Sequence, residues 1–254
     1  MITQYHRPKT IEEAIRLLSK PGSRPLGGGT NLNQSSGKSF SVVDLQLLKL
    51  DTIQKVGDNL NIGATATLQS VLENQHIPPE FRKAIQHDIP LNLRNMATIG
   101  GSIVSFGGRS PFLTALLAFD PVIFMSPDDD RIHLGDLLPL REEILAGKII
   151  THVTCSLKIN LQFEFVARTS MDKPIICVAM GKWESGRTRV VLGGWGQFPT
   201  LAMDGKLSAT EANEALEMAT RNATIHSSDE WASEDYRQQI AGVLAKRCWA
   251  RSIS

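Results

Sequence analysis

The sequence contains few residues that bind metals or form cross-links. It has only three cysteines, which are far apart and form no Cys-x-x-Cys pair: Cys155, Cys177 and Cys248. Its six histidines show no pairing at the spacing that metal ligands usually have. Neither pattern is typical of a zinc site, an iron–sulfur cluster or a disulfide framework. We therefore expect a chain that holds no metal of its own.

Long apolar runs and a strong charge imbalance are also missing. The longest apolar stretch, residues 112–125, is interrupted by Asp120 and Pro121 and is too short to span a bilayer. The first residues lack the apolar core of a secretory signal. The net charge is only +1, and a weak charge gives no electrostatic basis for binding nucleic acid. These absences predict a cytoplasmic protein without membrane insertion and without a nucleic-acid partner.

What is present is typical of a globular protein with two domains. The chain has 254 residues, of which 42% are apolar and 21% charged, and this length allows a sizeable core. Up to about residue 150, helix and strand signals are mixed. Thr10 with Glu13 forms a capping box, and Ser110 before Pro111 is typical of a helix start. The helix candidates are 10–18, 68–73, 78–88 and 112–119, and the strand candidates are 40–45, 60–64 and 121–125, the last followed by an acidic turn at 127–131.

After about residue 150 the pattern changes to successive strands followed by two helices. The strand candidates are 149–157, 163–170, 173–183 and 187–195, which together predict an antiparallel sheet. A second capping box, Ser208 with Glu211, predicts the start of the first closing helix. Ser233 is the predicted cap of the last helix, residues 234–251.

A run of three glycines, residues 27–29, precedes a Gly-Lys-Ser at 37–39. The nucleotide triphosphate loop requires a glycine, then four residues of any type, then Gly-Lys-Ser, and the position of that first glycine is Leu32. The Rossmann spacing also fails. Neither common nucleotide motif explains the run, and we interpret 37–39 as a surface turn.

Two further glycine pairs follow at 100–101 and 107–108. Glycine loops let consecutive N–H groups converge on an anion. One such loop alone is more simply a tight turn, but two loops in one small domain suit the two anionic groups of a pyrophosphate. The Gly-Gly-Trp-Gly at 193–196 is interpreted as a tight turn in the later sheet.

Four segments resemble, in the same order, the FAD-binding subunit of the molybdenum hydroxylases of the xanthine dehydrogenase and carbon monoxide dehydrogenase type. They are "RPKTIEEAIRLL…PLGGGTNL", "LNIGATATLQSV", "LRNMATIGGSIV" and "ALLAFDPVI". Later segments, "FVARTSMDKPIICVAM" and "EDYRQQIAGVLAKRCWAR", are similar to the C-terminal domain of that family. The resemblance covers nearly the whole chain.

The resemblance implies a set of cofactor-binding residues on two loops and no catalytic acid or base. The loops cradle the FAD pyrophosphate in the family, with threonine hydroxyls and glycine N–H groups as donors. Gly27 stands where the family usually has alanine. The residues carried over are Gly27, Gly28, Gly29, Thr30, Asn31 and Leu32 on the first loop, and Arg94, Thr98, Ile99, Gly100, Gly101 and Ser102 on the second.

Other positions depart from the family pattern. Ser102 replaces the usual Asn or Asp after the second glycine pair. The family's ribose-binding Asp falls on Pro111, or on Thr114 in a shifted alignment, so no carboxylate is present. The usual lysine before the Ala-Arg pair falls on Glu164 or Phe165. Each lost hydrogen bond weakens binding by roughly 0.5–1.5 kcal/mol.

The fold that the resemblance implies is α+β. It has a two-lobed FAD-binding domain of the vanillyl-alcohol-oxidase/PCMH type over residues 1–150, with lobes of about 1–55 and 56–150. A C-terminal domain, residues 151–254, contains an antiparallel sheet with helices.

The implied function is electron transfer inside a hetero-oligomeric oxidoreductase. In the family, a 2Fe-2S subunit receives electrons from a molybdopterin-binding large subunit, and FAD passes them to NAD+ or another acceptor. The alternative is a flavin-free structural subunit that has lost cofactor binding, which the missing carboxylate and lysine favour. A free-standing flavoenzyme of the same superfamily would need a substrate domain for which the chain is too short.

Overall fold

The computed structural model describes residues 1–31, 39–170 and 172–253. Its strands are β1 (Ile2–His6), β2 (Ser23–Leu26), β3 (Phe40–Asp44), β4 (Ile53–Val56), β5 (Asn59–Gly63), β6 (Val122–Ser126), β7 (Arg131–His133), β8 (Ile149–Ser156), β9 (Asn160–Val166), β10 (Ile176–Lys182), β11 (Arg187–Gly193) and β12 (Thr200–Lys206).

The helices follow the predicted start signals at most positions. They are α1 (Ile11–Leu18), α2 (Leu68–Glu73), α3 (Pro79–Asp88), α4 (Leu91–Arg94), α5 (Ile99–Ser105), α6 (Pro111–Ala118), α7 (Leu134–Leu137), α8 (Arg141–Ile144), α9 (Ala212–Ala223) and α10 (Glu234–Ser252). Thr10, Thr67, Ser110 and Ser233 each accept a hydrogen bond from a backbone N–H three residues later, as helix caps do.

The chain divides into two compact units that interleave in sequence. Unit 1 comprises residues 1–76, 90–105 and 121–155, and unit 2 comprises residues 77–89, 106–120 and 156–254. The boundary that the sequence predicts between residues 150 and 151 stays a prediction.

Unit 1 begins with a parallel three-stranded sheet in the order β1-β3-β2. Helix α1 connects β1 to β2, as a parallel pair requires a crossover. Its fully buried Ala14 packs in one cluster with Val43, Leu45 and Ile149. Pairing of Leu26 with Asp44 of β3 positions the end of β2, where the first glycine loop starts.

The second sheet of unit 1 has five strands in the order β4-β5-β8-β6-β7. The predicted acidic turn connects β6 and β7, which pair antiparallel, so that hairpin is confirmed. Strand β8 pairs antiparallel with β6, whereas the sequence placed it in the later meander, which was wrong. Which strands pair depends on which sheet edges are open in the folded chain. The order of the strands in the sequence does not show this.

Unit 2 is built on an antiparallel meander in the order β12-β11-β10-β9. One face of the central strand β10 packs on α9 and α10; the buried residues of this core include Ile176, Val178, Met180, Leu216, Leu244 and Cys248. The opposite face packs on α6, whose eight residues are all buried. A helix that is apolar all round belongs in a core, and here the core is that of unit 2.

Two kinds of sequence prediction failed. The capping box at Ser208 was wrong, because α9 begins at Ala212 and the Ser208 hydroxyl donates instead to the Glu211 carboxylate, 2.7 Å away. Strands β1, β2, β4, β7 and β12 were not predicted, nor were the short helices α4, α5, α7 and α8. The unpredicted strands all lie at sheet edges, where the alternation of a half-buried strand is weak, and β2 also contains Pro25.

Candidate cofactor site

The two predicted glycine loops lie against each other in unit 1. A Cβ atom added at Gly28 would lie 1.5 Å from the carbonyl oxygen of Met96. A Cβ atom at Gly27 would lie 2.8 Å from the hydroxyl oxygen of Thr98. Only a residue without a side chain allows the first loop to approach the second this closely.

The first loop follows β2 and contains backbone N–H groups that have no acceptor among the described residues. Gly29 has φ +74°, a left-handed conformation that glycine adopts without strain. Within the described residues, no acceptor is bonded to the N–H groups of Gly27, Gly28 or Gly29. Unpaired backbone donors need a partner, and these three groups are available to an anion. Thr30 is half-buried and Asn31 is exposed.

The second loop is anchored on the chain segment after β5. The N–H of Ile99 donates to the carbonyl of Ala66, and that of Gly100 to the carbonyl of Ala64, both at 2.9 Å. The N–H of Leu68 donates to the carbonyl of Ala97 at 2.8 Å. The part that Ala64 and Ala66 play in anchoring the second loop was not predicted, although their small side chains are the signal that another backbone can lie close.

This anchoring changes how the second loop can contribute donors. We expected the N–H of Gly100 to be free, but the carbonyl of Ala64 accepts its hydrogen bond. The N–H of Gly101 donates to the Thr98 hydroxyl oxygen at 3.1 Å. The second loop therefore offers the hydroxyl groups of Thr98 and Ser102 in place of the N–H groups of Gly100 and Gly101.

Ser102 and Gly101 occupy opposite environments in the first turn of α5. Ser102 is 2% exposed, and its hydroxyl oxygen has no hydrogen-bond partner in the part of the chain that the structure describes. A buried hydroxyl is normally bonded, so an unbonded one indicates a missing ligand. Gly101 is exposed, which leaves room for a ligand beside its Cα.

Arg94 ends α4, just before the second loop. Its Nε donates to the side-chain oxygen of Gln69 at 3.0 Å, and the residue is half-buried. This bond links α4 to α2 and fixes the direction of the arginine. Leu32, the last predicted residue of the first loop, lies outside the described residues, as do Gly37 and Lys38 of the Gly-Lys-Ser motif.

Pro111 and Thr114, the two positions at which the resemblance would place a ribose-binding Asp, both belong to unit 2. Pro111 is the first residue of α6. Thr114 is fully buried, and its hydroxyl donates to the carbonyl of Ser110 at 2.8 Å. The nearest carboxylate to this turn is Asp88, which accepts from the Ser110 hydroxyl and from the N–H of Phe112 at 3.0 Å. Burial raises the pKa of the Asp88 carboxyl.

Glu164 and Phe165, the positions at which the resemblance would place a lysine, contact other side chains. Glu164 forms an ion pair with Arg251, and Phe165 stacks on Phe163 at 5.8 Å between ring centres. A cation is nevertheless present, because Lys83 of α3 donates to the carbonyl of Phe163 at 3.3 Å and lies 5.9 Å from the Phe165 ring centre. The sequence did not indicate Lys83, since its partner is far along the chain.

A second glycine junction lies in unit 2 and joins two motifs that were predicted separately. The N–H of Gly108 donates to the carbonyl of Gly196 at 3.1 Å, and the N–H of Gly194 donates to the carbonyl of Gly108 at 2.8 Å. A Cβ atom at Gly108 would lie 1.8 Å from the carbonyl oxygen of Trp195. The tight turn predicted at 193–196 is instead a six-residue connection, 194–199, since Gly193 is the last residue of β11 and β12 begins at Thr200. The glycines of this connection pack backbone on backbone against Gly108.

Two kinds of feature are absent from the described residues. No group of three or more His, Cys, Asp or Glu side chains among them could hold a metal ion. None of the helices within that part of the chain is both long and apolar enough to cross a bilayer.

Together, the residues of unit 1 fit a polyanionic ligand. The first loop has three N–H groups without acceptors among the described residues, and the second loop has the hydroxyls of Thr98 and Ser102. Such donors bind phosphate oxygens strongly, because bonds to a charged acceptor are the stronger ones.

The chain is similar to known families and proteins over most of its length. A model of the family described as FAD binding domain in molybdopterin dehydrogenase matches residues 1–155. The match includes both glycine loops of unit 1.

Two curated relatives align over nearly the whole chain. The YgfM protein of Escherichia coli (strain K12) is 27% identical, covering 98% of this chain and 96% of the relative. The glyceraldehyde dehydrogenase medium chain of Sulfolobus acidocaldarius is 23% identical, covering 96% of each chain.

A solved structure has the same fold. A chain of the reconstituted CO dehydrogenase from Oligotropha carboxidovorans superposes with a TM-score of 0.81 at 22% identity, covering 98% of this chain and 96% of that one.

Proposed function

Because this chain belongs to the family of the FAD binding domain in molybdopterin dehydrogenase, we propose that it is the FAD-binding, electron-transferring subunit of a molybdenum hydroxylase complex. The observation that supports this most is the junction of the two loops, in which Gly28 lies against the backbone of Met96 and the N–H groups of the first loop stay unbonded.

The residues of the first loop would hold the pyrophosphate of FAD. The N–H groups of Gly27, Gly28 and Gly29 donate to its oxygens, with the hydroxyl of Thr30 beside them. Asn31 and Leu32 continue the loop.

The residues of the second loop would complete the contact. Thr98 orients α5 by capping Gly101, and the buried hydroxyl of Ser102 gains a partner. Ile99 and Gly100 hold the loop on Ala66 and Ala64, and Arg94 adds positive charge near the loop. FAD itself, when bound, supplies the chemistry of one- and two-electron transfer.

The proposed partners are a 2Fe-2S subunit that delivers electrons and a molybdopterin-binding large subunit that oxidises the substrate. The proposed final acceptor is NAD+ or another electron acceptor. The medium-chain name of the relative from Sulfolobus acidocaldarius supports a multi-subunit assembly. Within such an assembly the outer-sphere electron-transfer step itself requires no acid or base from the chain.

The test is a visible spectrum of the purified chain, followed by heat release and chromatographic identification of the flavin. We expect bands near ~370 and ~450 nm and release of FAD, as a bound flavin requires. If the protein is colourless, FAD is titrated into it, alone and with its partner subunits.

A chain that takes up no FAD under any of these conditions contradicts the proposal. That result would favour the alternative, a structural subunit that has kept the fold and lost the cofactor. Titration of Gly101→Asp and Gly101→Asn in parallel shows whether any binding that is observed uses the second loop.

A further inference from the structure

A tryptophan and two arginines lie together at the surface of unit 2. Trp231 precedes α10 and is 37% exposed. The guanidinium carbon of Arg109 lies 4.2 Å from the centre of the Trp231 ring, and that of Arg168 lies 4.7 Å from it. Attraction between cation and ring holds such an arrangement together. These three residues are named the Trp231 platform below.

The loop that carries Trp231 is held rigidly from below. A carboxylate oxygen of Asp229 accepts from the N–H of Trp231 at 2.8 Å and from the N–H of Ala232 at 3.1 Å. The two Asp229 oxygens also accept from Arg237, at 2.8 and 2.9 Å. Arg237 is fully buried. A buried charge persists only when it is paired, so this pair fixes the loop in one conformation.

The second glycine junction fixes Arg109 in the same way. Arg109 directly follows Gly108, whose backbone is bonded to the connection at 194–199. Its guanidinium donates to the carbonyl of Lys173 at 3.1 Å and to that of Pro174 at 3.3 Å. The junction and these two bonds direct the arginine side chain along the ring of Trp231.

The two arginines of the platform lack carboxylate partners. Within the described residues, neither Arg109 nor Arg168 forms an ion pair, and the carboxylate of Asp229 is already bonded to Arg237. Asp229 and the exposed Glu230 act on Arg109 only as nearby charges. Two unpaired guanidinium groups therefore lie beside an exposed aromatic ring.

We propose that the Trp231 platform is a docking surface for an acidic segment of a protein partner. Carboxylates of that segment pair with Arg109 and Arg168, and an apolar side chain covers Trp231. Tryptophan and arginine are the residues that most often dominate protein interfaces. A rigid platform also lowers the entropy lost on binding. A small inorganic anion would use the arginines and leave the apolar area of Trp231 in water.

The test uses a fluorescently labelled peptide of three Leu-Glu repeats, followed by anisotropy at low ionic strength. We expect Arg168→Gln and Trp231→Ala each to weaken its binding about tenfold or more. A peptide of three Leu-Gln repeats should not bind. The Gly101→Asp variant should bind the acidic peptide like the unmodified chain, which separates this surface from the cofactor site.

Arg247→Gln is the matched control, because it removes an exposed arginine from α10 away from the platform. If Arg247→Gln weakens binding as much as Arg168→Gln, the attraction is non-specific and the proposal fails. If inorganic pyrophosphate displaces the peptide and depends on the same arginines, the occupant is a small anion, and the protein-docking proposal is overturned. Trp231→Phe replaces Trp231→Ala if the latter does not fold.

Discussion

In unit 1, Gly28 lies against the carbonyl of Met96; in unit 2, Gly108 lies against the carbonyl of Trp195. Both contacts are too close for any side chain. They differ in their hydrogen bonds. The N–H groups of Gly108 and Gly194 donate to carbonyls of the same junction, whereas the N–H groups on the first loop of unit 1 have no acceptor among the described residues.

The comparison shows that a glycine pair can serve two purposes that look alike in sequence. Where the N–H groups are bonded internally, glycine only allows two backbones to pack. Where they stay unbonded, the same close approach creates an anion site. Counting the partners of each N–H distinguishes the two cases, and three glycine substitutions test the distinction; a fourth substitution, at Asp88, tests the electrostatics of the turn that follows Gly108.

Gly28→Ala should have the largest effect. Its Cβ would overlap the carbonyl of Met96, so the loops must separate, at a cost of about 3 kcal/mol or more in the free energy of unfolding. FAD binding should be lost as well. Denaturant unfolding and FAD titration measure both. Gly205→Ala is the control, because no atom lies within 4 Å of its added Cβ; equal effects of the two variants would contradict the account.

Gly108→Ala should lower the free energy of unfolding by about 2–3 kcal/mol, because its Cβ would overlap the carbonyl of Trp195. The fraction of protein that remains folded should keep its FAD affinity. Denaturant unfolding and FAD titration at low temperature measure the two quantities. A loss of FAD affinity as large as that of Gly28→Ala would show that both junctions belong to the cofactor site.

Gly101→Asp should affect binding more than stability. Gly101 is exposed, so the fold tolerates the side chain once the nearby Thr98 hydroxyl shifts. The added carboxylate repels a pyrophosphate, and we expect an FAD affinity at least about tenfold lower. Gly101→Asn has the same shape without the charge. If both variants bind FAD equally, no phosphate lies near Gly101.

Asp88→Asn should have the smallest effect, one that depends on pH. Burial raises the pKa of the Asp88 carboxyl in the folded chain, despite the ion pair with Lys173 at 3.7 Å. The folded state therefore binds more protons than the unfolded state above about pH 4, and its stability falls as the pH rises towards the folded pKa. An asparagine at position 88 does not titrate, so this pH dependence is absent from the Asp88→Asn variant.

The free energy of unfolding of Asp88→Asn, relative to that of the unmodified chain, should therefore increase with pH between about pH 4 and the folded pKa of Asp88. The increase is at most about 1.4 kcal/mol per pH unit. Urea unfolding of both proteins between pH 4 and 8 measures it. An advantage that shrinks with rising pH would mean that Lys173 stabilises the ionised carboxylate more than burial disfavours it.

The order of local motifs was sufficient to predict the family, the α+β fold and the FAD cofactor, and all three are confirmed. Helix starts such as Thr10 and Ser110 were predictable because a cap bonds within three residues. The individual cofactor contacts, including Leu32, stay predictions.

Long-range partners were not predictable. The sequence treated Gly100 and Gly27 as equivalent donors, since nothing local shows that Ala64 accepts the hydrogen bond of Gly100. It left the glycines at 107–108 and 193–196 unconnected for the same reason. The place of β8 in the five-stranded sheet was also decided by strands distant in the chain.

The most direct test of the distinction between the two junctions is NMR of the chain labelled with ¹⁵N-glycine, recorded before and after FAD is added. The account predicts large shifts of the amide signals of Gly27, Gly28 and Gly29, with those of Gly108 and Gly194 nearly unchanged. Shifts confined to Gly108 and Gly194, or none at the first loop when FAD is bound, would contradict it.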